Sequence, residues 1–211
     1  MKICYIIGAG ELPLLYIKKE NSMLIAADGG FAKLQNLTPD ITVGDFDSLG
    51  FVPGGKTVTL PTKKDVTDMK YAVDVGIEKG FNTFVLYGGT GGRPDHTFAN
   101  YALLCSLAKS GKRAYLIGDG FVATAICNSC ISLPKKEKGT VSVFSADTAA
   151  NGVTIEGLEY TLKNENLTFC EPLGVSNSFV GKENKISVKD GTLLIMWEEN
   201  NVKNFIDNLY K

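Results

Sequence analysis

The sequence predicts an α/β fold in which a three-layer domain built on a parallel sheet is followed by a smaller all-β sandwich domain. Up to about residue 118, short β-rich apolar runs alternate with helical stretches, which is typical of strands buried on both faces of a parallel sheet. From about residue 120, short strand-like runs are separated by Gly, Asn and Asp turns, which indicates a small antiparallel sandwich or barrel. The 211 residues can form two such domains, and we place them at 1–127 and 128–211.

Six apolar runs and two periodic segments make up the predicted first domain. The predicted strands are residues 3–7, 23–27, 41–43, 57–60, 83–87 and 114–117. In the predicted helix 66–79, apolar residues recur at helical spacing and Gly80 follows as a C-cap. In the predicted helix 96–109, we expect an apolar face formed by Phe98, Tyr101, Ala102, Cys105 and Ala108.

The predicted second domain consists mainly of short strands. These strands are residues 141–144, 152–156, 185–188 and 193–197. A short helix is predicted only at the C-terminus, over residues 202–209. This composition of elements matches a small β domain rather than a second layered α/β unit.

Composition and charge exclude two classes of partner. Lys and Arg number 22 against 23 Asp and Glu, so we expect no basic surface for nucleic acid. No apolar run approaches the roughly 18 residues that span a bilayer, so we expect no membrane segment. The N-terminal MKICYIIGAG lacks a convincing cleavage region and is better explained as a first strand than as a signal peptide. We therefore expect a cytoplasmic protein.

The five cysteines fit reduced thiols in such a compartment. Cys127 and Cys130 form a CxxC motif, but no second pair and no flanking His completes a zinc site. We interpret the pair as buried or idle, with a metal or redox centre as the alternative.

Two carboxylates follow the predicted strand 41–43 in the segment GDFDS. If the chain stays extended, Asp45 and Asp47 point to the same side. Two adjacent carboxylates repel each other unless a cation lies between them, and Mg²⁺ suits a few carboxylates together with phosphate oxygens. Ligands of open α/β sheets also bind beyond the carboxyl ends of strands. The alternative is an acidic turn in which these side chains bond nearby backbone.

A second acidic pair, Asp65 and Asp68, stands where the helix 66–79 is predicted to begin. Asp65 is a good N-cap, and an acid three residues later resembles a capping box. Both acids could also face a metal–phosphate site near the helix start. Helix capping and a role at the metal–phosphate site are compatible, and the sequence leaves both open.

A glycine-rich loop, GGTGGRPDH at 88–96, lies between a predicted strand and a helix. Glycines let the backbone approach a ligand, and the amides at a helix start favour anions. Arg93 could bind phosphate oxygens, whereas Asp95 near phosphate requires a cation. The loop therefore indicates a metal–phosphate site, with a flexible turn capped by Asp95 as the alternative. No Gly-Lys-Ser/Thr follows, which excludes a Walker loop.

Further strand ends carry weaker signals. GAG at 8–10 begins like a dinucleotide fingerprint, but Pro13 replaces its third glycine. Asp28 follows the predicted strand 23–27. His96, at the start of a helix, is interpreted as a surface group or as a support behind the site, rather than as a general base. Acids at several strand and helix ends are predicted to converge on one edge of the sheet.

These motifs, in this order, resemble those of the thiamine pyrophosphokinase family. The matching segments are ADGG at 27–30, GDFDS at 44–48, DVTD at 65–68, GGTGGRPDH at 88–96 and GVSNS at 174–178. The resemblance implies a Rossmann-like domain that binds ATP and Mg²⁺, and a β-sandwich domain that binds thiamine. It also implies transfer of the pyrophosphoryl group of ATP to the thiamine hydroxyl, which yields thiamine diphosphate and AMP. The implied assembly is a homodimer whose thiamine site combines the first domain of one subunit with the second domain of the other.

The resemblance also implies roles for individual residues. The residues implied to hold Mg²⁺ or to activate the hydroxyl are Asp45, Asp47, Asp65 and Asp95. The residues implied on the nucleotide side, several of them on phosphates, are Asp28, Gly29, Thr67, Asp68, Gly89, Gly91, Gly92 and Arg93. Ser176 and Asn177 are implied to contact thiamine. Two other functions remain open from the residues alone: an enzyme that uses a different small alcohol, and a non-catalytic sensor of nucleotide and metal.

Overall fold

The computed structural model describes residues 1–47, 49–61 and 65–210, so Ser48 and Lys64 of the predicted motifs lie outside the described residues. The chain divides into two compact units with interleaved segments. The first unit comprises Met1–Asn100, Tyr115–Asp119 and Asn201–Lys211, and the second comprises Tyr101–Ala114 and Gly120–Asn200. The contiguous domains 1–127 and 128–211 stay a prediction.

A parallel sheet organises the first unit. Its strands are β1 (Ile3–Ile7), β2 (Ser22–Ala27), β3 (Ile41–Gly44), β4 (Thr57–Thr59), β5 (Thr83–Tyr87) and β6 (Arg113–Gly118). Their order is β6-β5-β1-β2-β3-β4, and β1 pairs in parallel with both β2 and β5. β2 and β3, and likewise β3 and β4, are also parallel. Every residue of β1 and β5 is buried, which explains their uninterrupted apolar sequences.

The three α-helices begin within two residues of the predicted positions, and a short 3-10 helix was not predicted. The helices are the short 3-10 helix (Asp28–Lys33), α1 (Asp68–Glu78), α2 (Pro94–Lys109) and α3 (Val202–Leu209). The N-cap of α1 is Thr67, whose side chain accepts a hydrogen bond from the Lys70 backbone N–H at 3.2 Å. The prediction that Asp65 caps this helix is therefore wrong, because the helix starts two residues later than that cap requires.

The apolar face predicted for α2 is wrong at two of its five positions, whereas Tyr101, Cys105 and Ala108 are half-buried. Phe98 is 65 % exposed, and Ala102 is exposed as well. The buried face instead consists of Asn100, Leu103, Leu104 and Leu107. The predicted and the observed sets of residues both have helical spacing, and both faces of the helix are largely apolar. Packing against the rest of the protein therefore decides which face is buried.

Antiparallel strands make up most of the second unit. They are β7 (Phe121–Cys127), β8 (Cys130–Ile131), β9 (Thr140–Ser145), β10 (Ala149–Glu156), β11 (Leu162–Thr168), β12 (Gly174–Ser178), β13 (Lys185–Ser187) and β14 (Thr192–Glu198). One set has the order β12-β9-β14-β7 and the other β11-β10-β13-β8. Trp197 of β14 is 2 % exposed and belongs to the core.

Four of these strands, β7, β8, β11 and β12, were not predicted. β11 has the polar sequence LKNENLT and is mostly exposed, so it lacks the alternation that marks a half-buried strand. Its pairing with β10 is also interrupted by register shifts. With these strands, the chain has an α/β fold with a large mixed sheet and a second, smaller antiparallel sheet.

A helix that crosses a bilayer needs a run of about 18 or more mostly apolar residues. Within the described residues, no helix has the length and the apolar character that crossing a bilayer requires.

The structure predicts unequal reactivity of the thiols. Burial raises the pKa of Cys4 to about 12 and that of Cys105 to about 11, so at about pH 8 both thiols stay protonated. Cys130 and Cys170 are free and exposed. We expect iodoacetamide to alkylate Cys130 and Cys170 first, as measured by peptide mass spectrometry. In urea all five should react alike, and alkylation of native Cys4 as fast as Cys170 would contradict the burial.

Candidate active site

Close backbone contact joins the ends of β1 and β5. The Gly8 N–H donates to the Tyr87 carbonyl at 2.8 Å, and the Gly10 N–H donates to the Gly88 carbonyl at 2.8 Å. A Cβ on Gly10 would lie 2.6 Å from the Gly88 carbonyl oxygen, which no side chain tolerates. The GAG segment is therefore a close-packed turn against the glycine-rich loop, in place of a dinucleotide fingerprint.

A cavity of about 310 Å³ opens at these turns, within the first unit. The predicted site residues that line it are Asp28, Thr67, Asp68, Gly89, Gly91, Gly92 and Arg93. Its walls thus come from the ends of β1, β2 and β5 and from the starts of α1 and α2. Backbone amides, helix starts and one guanidinium are the groups that bind anions in proteins.

Three carboxylates cluster next to this cavity. Oxygen atoms of Asp28, Asp45 and Asp47 all lie within 4.8 Å of one another. Asp28 follows β2 and the other two follow β3, and the parallel pairing of these neighbouring strands brings their carboxyl ends together. Asp28 and Asp45 are half-buried, Asp47 is exposed, and Asp28 also lines the cavity. A set of carboxylate oxygens at this separation fits the ligand preference of Mg²⁺.

The backbone at the cluster is not extended, contrary to the condition on which the pairing of Asp45 and Asp47 was predicted. Phe46, between them, has φ 60° and is 3 % exposed, and Asp28 has φ 46°. Left-handed conformations at non-glycine residues cost free energy and persist where the surroundings impose them. Here the buried Phe46 ring anchors a turn that presents both carboxylates near Asp28.

The remaining two predicted metal ligands are placed differently. In the described part of the chain, neither Asp65 nor Asp95 belongs to the cluster. Asp65 is exposed and lies two residues before Thr67, the N-cap of α1. Gly29 follows Asp28 in the 3-10 helix and is half-buried, but it does not line the cavity.

Asp95 is bound to Arg93. The guanidinium Nη2 lies 2.5 Å from Asp95 Oδ2, and Nε donates to Oδ1 at 3.2 Å. Hydrogen bonding to Arg93 lowers the pKa of Asp95, and the same bond raises the pKa of Arg93. Arg93 immediately precedes α2, and Asp95 lies inside its first turn, so Asp95 is not the cap of this helix. Its carboxylate instead orients the guanidinium of Arg93, which lines the cavity.

Two lining residues, His96 and Asn100, were missed as functional candidates. Together with Arg93 they recur at intervals of three and four, so one face of the start of α2 looks into the cavity. His96 is exposed, and it also forms part of the cavity lining. The helical spacing of both residues from Arg93 could have indicated in the sequence that they face the same site.

The residues predicted to contact thiamine lie in the second unit. Asn177 is 4 % exposed, and its side chain accepts from the Tyr160 N–H at 2.9 Å and donates to the Tyr160 carbonyl at 2.6 Å. Ser176 is exposed and has φ 60°. The Asn177 amide thus holds the neighbouring backbone, while Ser176 offers its side chain to solvent.

Comparison with known proteins assigns the family. Residues 14–116 match the model described as thiamin pyrophosphokinase, catalytic domain, and residues 128–193 match the model described as thiamin pyrophosphokinase, vitamin B1 binding domain. The chain belongs to the thiamine pyrophosphokinase family. It is therefore an enzyme. All of the residues that line the cavity from Ala27 to Asn100 fall inside the first match.

Individual thiamine pyrophosphokinases agree with this assignment. The chain is 26 % identical over 187 residues to the enzyme of Bacillus subtilis (strain 168), covering 84 % of this chain and 87 % of that protein. A crystal structure of the Bacillus subtilis enzyme matches with a TM-score of 0.85 at 25 % identity, covering 94 % of this chain and all of that one. The structure from Geobacillus thermodenitrificans gives a TM-score of 0.81 at 26 % identity, covering 94 % and 98 %.

If the three carboxylates bind Mg²⁺, the cation should change the thermal stability of the protein. Mg²⁺ should raise the Tm of the wild type, because a ligand that binds only the folded state stabilises it. Asp45→Asn should lose most of that rise, because one of the three clustered carboxylates is gone. Asp74→Asn, which changes an acid paired with Lys70 on α1, is the control and should keep the full rise. An unchanged rise in Asp45→Asn would contradict the site.

Proposed function

We propose that the enzyme transfers the pyrophosphoryl group of ATP to the hydroxyl of thiamine, with Mg²⁺, giving thiamine diphosphate and AMP. The proposal is carried by one residue that two features share. Asp28 belongs to the carboxylate cluster and also lines the glycine-walled cavity. A cavity suited to phosphates beside a site suited to a cation is what a metal–triphosphate substrate requires. The match to a vitamin B1 binding domain supports thiamine as the acceptor.

The nucleotide phosphates are proposed to bind along the glycine-rich loop. Gly89, Gly91 and Gly92 supply backbone without side chains, so phosphate oxygens can approach their amides. Thr67 and Asp68 at the start of α1 border the same space, and Arg93 provides a guanidinium already oriented by Asp95. Gly29, beside Asp28, is proposed to let the nucleotide approach the end of β2.

Asp45 and Asp47 are proposed as Mg²⁺ ligands together with Asp28, and Asp65 and Asp95 remain proposed contributors. When bound, the cation neutralises phosphate charge and so lowers the electrostatic barrier to nucleophilic attack. Three carboxylates within 4.8 Å are costly without a compensating cation, which is an argument for binding at Asp28, Asp45 and Asp47 in particular.

The chemical step needs alignment more than covalent catalysis. The thiamine hydroxyl oxygen forms a bond to the β-phosphorus of ATP, and the bond from that phosphorus to the α–β bridging oxygen breaks. The bridging oxygen leaves with AMP, and the hydroxyl proton passes to a carboxylate. We assign the proton to Asp65, because Asp95 is already bound to Arg93. Arg93 and the loop amides hold the phosphates in line during the transfer.

Thiamine is proposed to bind through Ser176 and Asn177 of a β-sandwich domain at 128–211, facing the Rossmann-like domain 1–127 of a second subunit in a homodimer. The exposed side chain of Ser176 can make such a contact, whereas the Asn177 amide is bonded to the Tyr160 backbone. We propose a cytoplasmic location, in keeping with the five unpaired cysteines.

The direct test is product analysis. Incubation with ATP, Mg²⁺ and thiamine should give AMP and thiamine diphosphate in equal amounts, separated by chromatography. Formation of AMP only with a different alcohol would replace thiamine as the acceptor. Binding of ATP without turnover on any acceptor would point to a nucleotide sensor and would overturn the proposal.

Asp65→Asn should separate catalysis from binding. It should lower kcat by at least about a hundredfold while the KM for ATP changes little, because general-base catalysis contributes in that range. Asp74→Asn on α1 is the matched control and should keep the wild-type kcat. A normal kcat in Asp65→Asn would remove the assigned role.

A further inference from the structure

Asn100 is a buried polar side chain in a place where the helix is otherwise apolar. It lies in the second turn of α2, is 6 % exposed and lines the cavity. Its Nδ2 donates a hydrogen bond to the Gly89 carbonyl at 2.7 Å. A buried amide is stabilising only where its hydrogen bonds are made, so this bond accounts for a polar residue on the buried face of α2.

The direction of this bond is determined by chemistry. A backbone carbonyl can only accept, so the amide nitrogen must face Gly89. A carboxylate of the same shape has no proton to donate there at neutral pH. The geometry is also tight, because a Cβ on Gly89 would lie 3.2 Å from Asn100 Nδ2. The helix and the loop therefore meet at one specific hydrogen bond.

The bond holds a loop that is intrinsically flexible. Gly88, Gly91 and Gly92 have φ of 62°, 78° and 69°, conformations that glycine adopts readily but leaves as readily. A trans peptide turns its C=O and N–H to opposite sides, so fixing the Gly89 carbonyl also fixes the direction of the Thr90 N–H. One side chain thereby fixes the peptide between Gly89, which lines the cavity, and Thr90.

We propose that Asn100 is a positioning residue for nucleotide binding: its amide holds the glycine-rich loop in the conformation that receives the phosphates. This inference rests on the proposed use of ATP. If the loop is already ordered before binding, the nucleotide does not have to supply the free energy of ordering it. Pre-organisation of the loop therefore increases the affinity. The effect acts on the nucleotide and leaves thiamine untouched.

A control for a purely structural role exists in the same chain. Asn184 is 4 % exposed, and its Nδ2 donates to the Leu133 carbonyl at 3.3 Å while its Oδ1 accepts from the Leu133 N–H at 2.9 Å. It too is a buried asparagine that donates to backbone, but it does not line the cavity. Asn184→Asp therefore removes a matched donor away from the nucleotide.

The experiment compares Asn100→Asp, Asn100→Leu and Asn184→Asp with the wild type. Calorimetry with Mg²⁺ and α,β-methylene-ATP, which cannot be cleaved at the transferring bond, measures Kd. Steady-state kinetics give the KM for ATP and for thiamine, and thermal unfolding reports stability. Asn100→Leu avoids a buried charge and keeps the test valid if Asn100→Asp does not fold.

Both Asn100 variants that fold should bind the analogue at least about tenfold more weakly, the effect of leaving a buried carbonyl without its donor. Their KM for thiamine should stay unchanged. Asn184→Asp should lose thermal stability without any change in Kd. Wild-type Kd in a folded Asn100→Leu, or an equal loss of affinity in Asn184→Asp, would overturn the positioning role. Failure of the wild type to bind the analogue would instead overturn the proposed use of ATP.

Discussion

The parallel pairing of β5, β1, β2 and β3 is the constraint on which the site depends. Parallel strands end at the same edge of a sheet, so segments far apart in the chain meet there. Asp28 arrives with β2, Asp45 and Asp47 with β3, and the glycine-rich loop with β5. Without that common direction, the carboxylates and the loop could not share one cavity edge.

Close backbone approach is the second condition. The turns after β1 and β5 are bonded to each other through Gly8 and Gly10, and side chains at either position would collide with the Gly88 carbonyl. Gly44 similarly ends β3 where a Cβ would lie 2.9 Å from the Asp28 Cα. These glycines let backbone segments form the site at close range. Because glycine is conformationally flexible, other groups must restrict the backbone there.

Acidic side chains are concentrated at the candidate site although the chain as a whole is nearly neutral. The chain carries 22 basic and 23 acidic residues and is nearly neutral, yet three carboxylates share a small volume beside a cavity suited to phosphate. Both the carboxylates and a triphosphate are anionic, so the arrangement is favourable only with a cation between them. Arg93, oriented by Asp95, adds a positively charged side chain to the lining of the cavity.

The sequence by itself determined the elements and the chemistry they carry. Strands 3–7 and 83–87 and the helix 202–209 were predicted with the bounds observed, because continuous apolar runs and helical periodicity are local signals. The order of acidic and glycine motifs was likewise enough to indicate the thiamine pyrophosphokinase family, which the family models confirm. Polar β11 escaped prediction because its strand character comes from pairing with β10.

Only the tertiary structure decided which side chains meet. Asp28 joins Asp45 and Asp47, whereas Asp65 and Asp95 do not, because strand adjacency and the buried Phe46 turn set those positions. Packing also chose Leu103 over Phe98 for the buried face of α2 and brought Asn100 to Gly89. Such contacts join residues through space, and a linear pattern contains the residue types but not the distances between them.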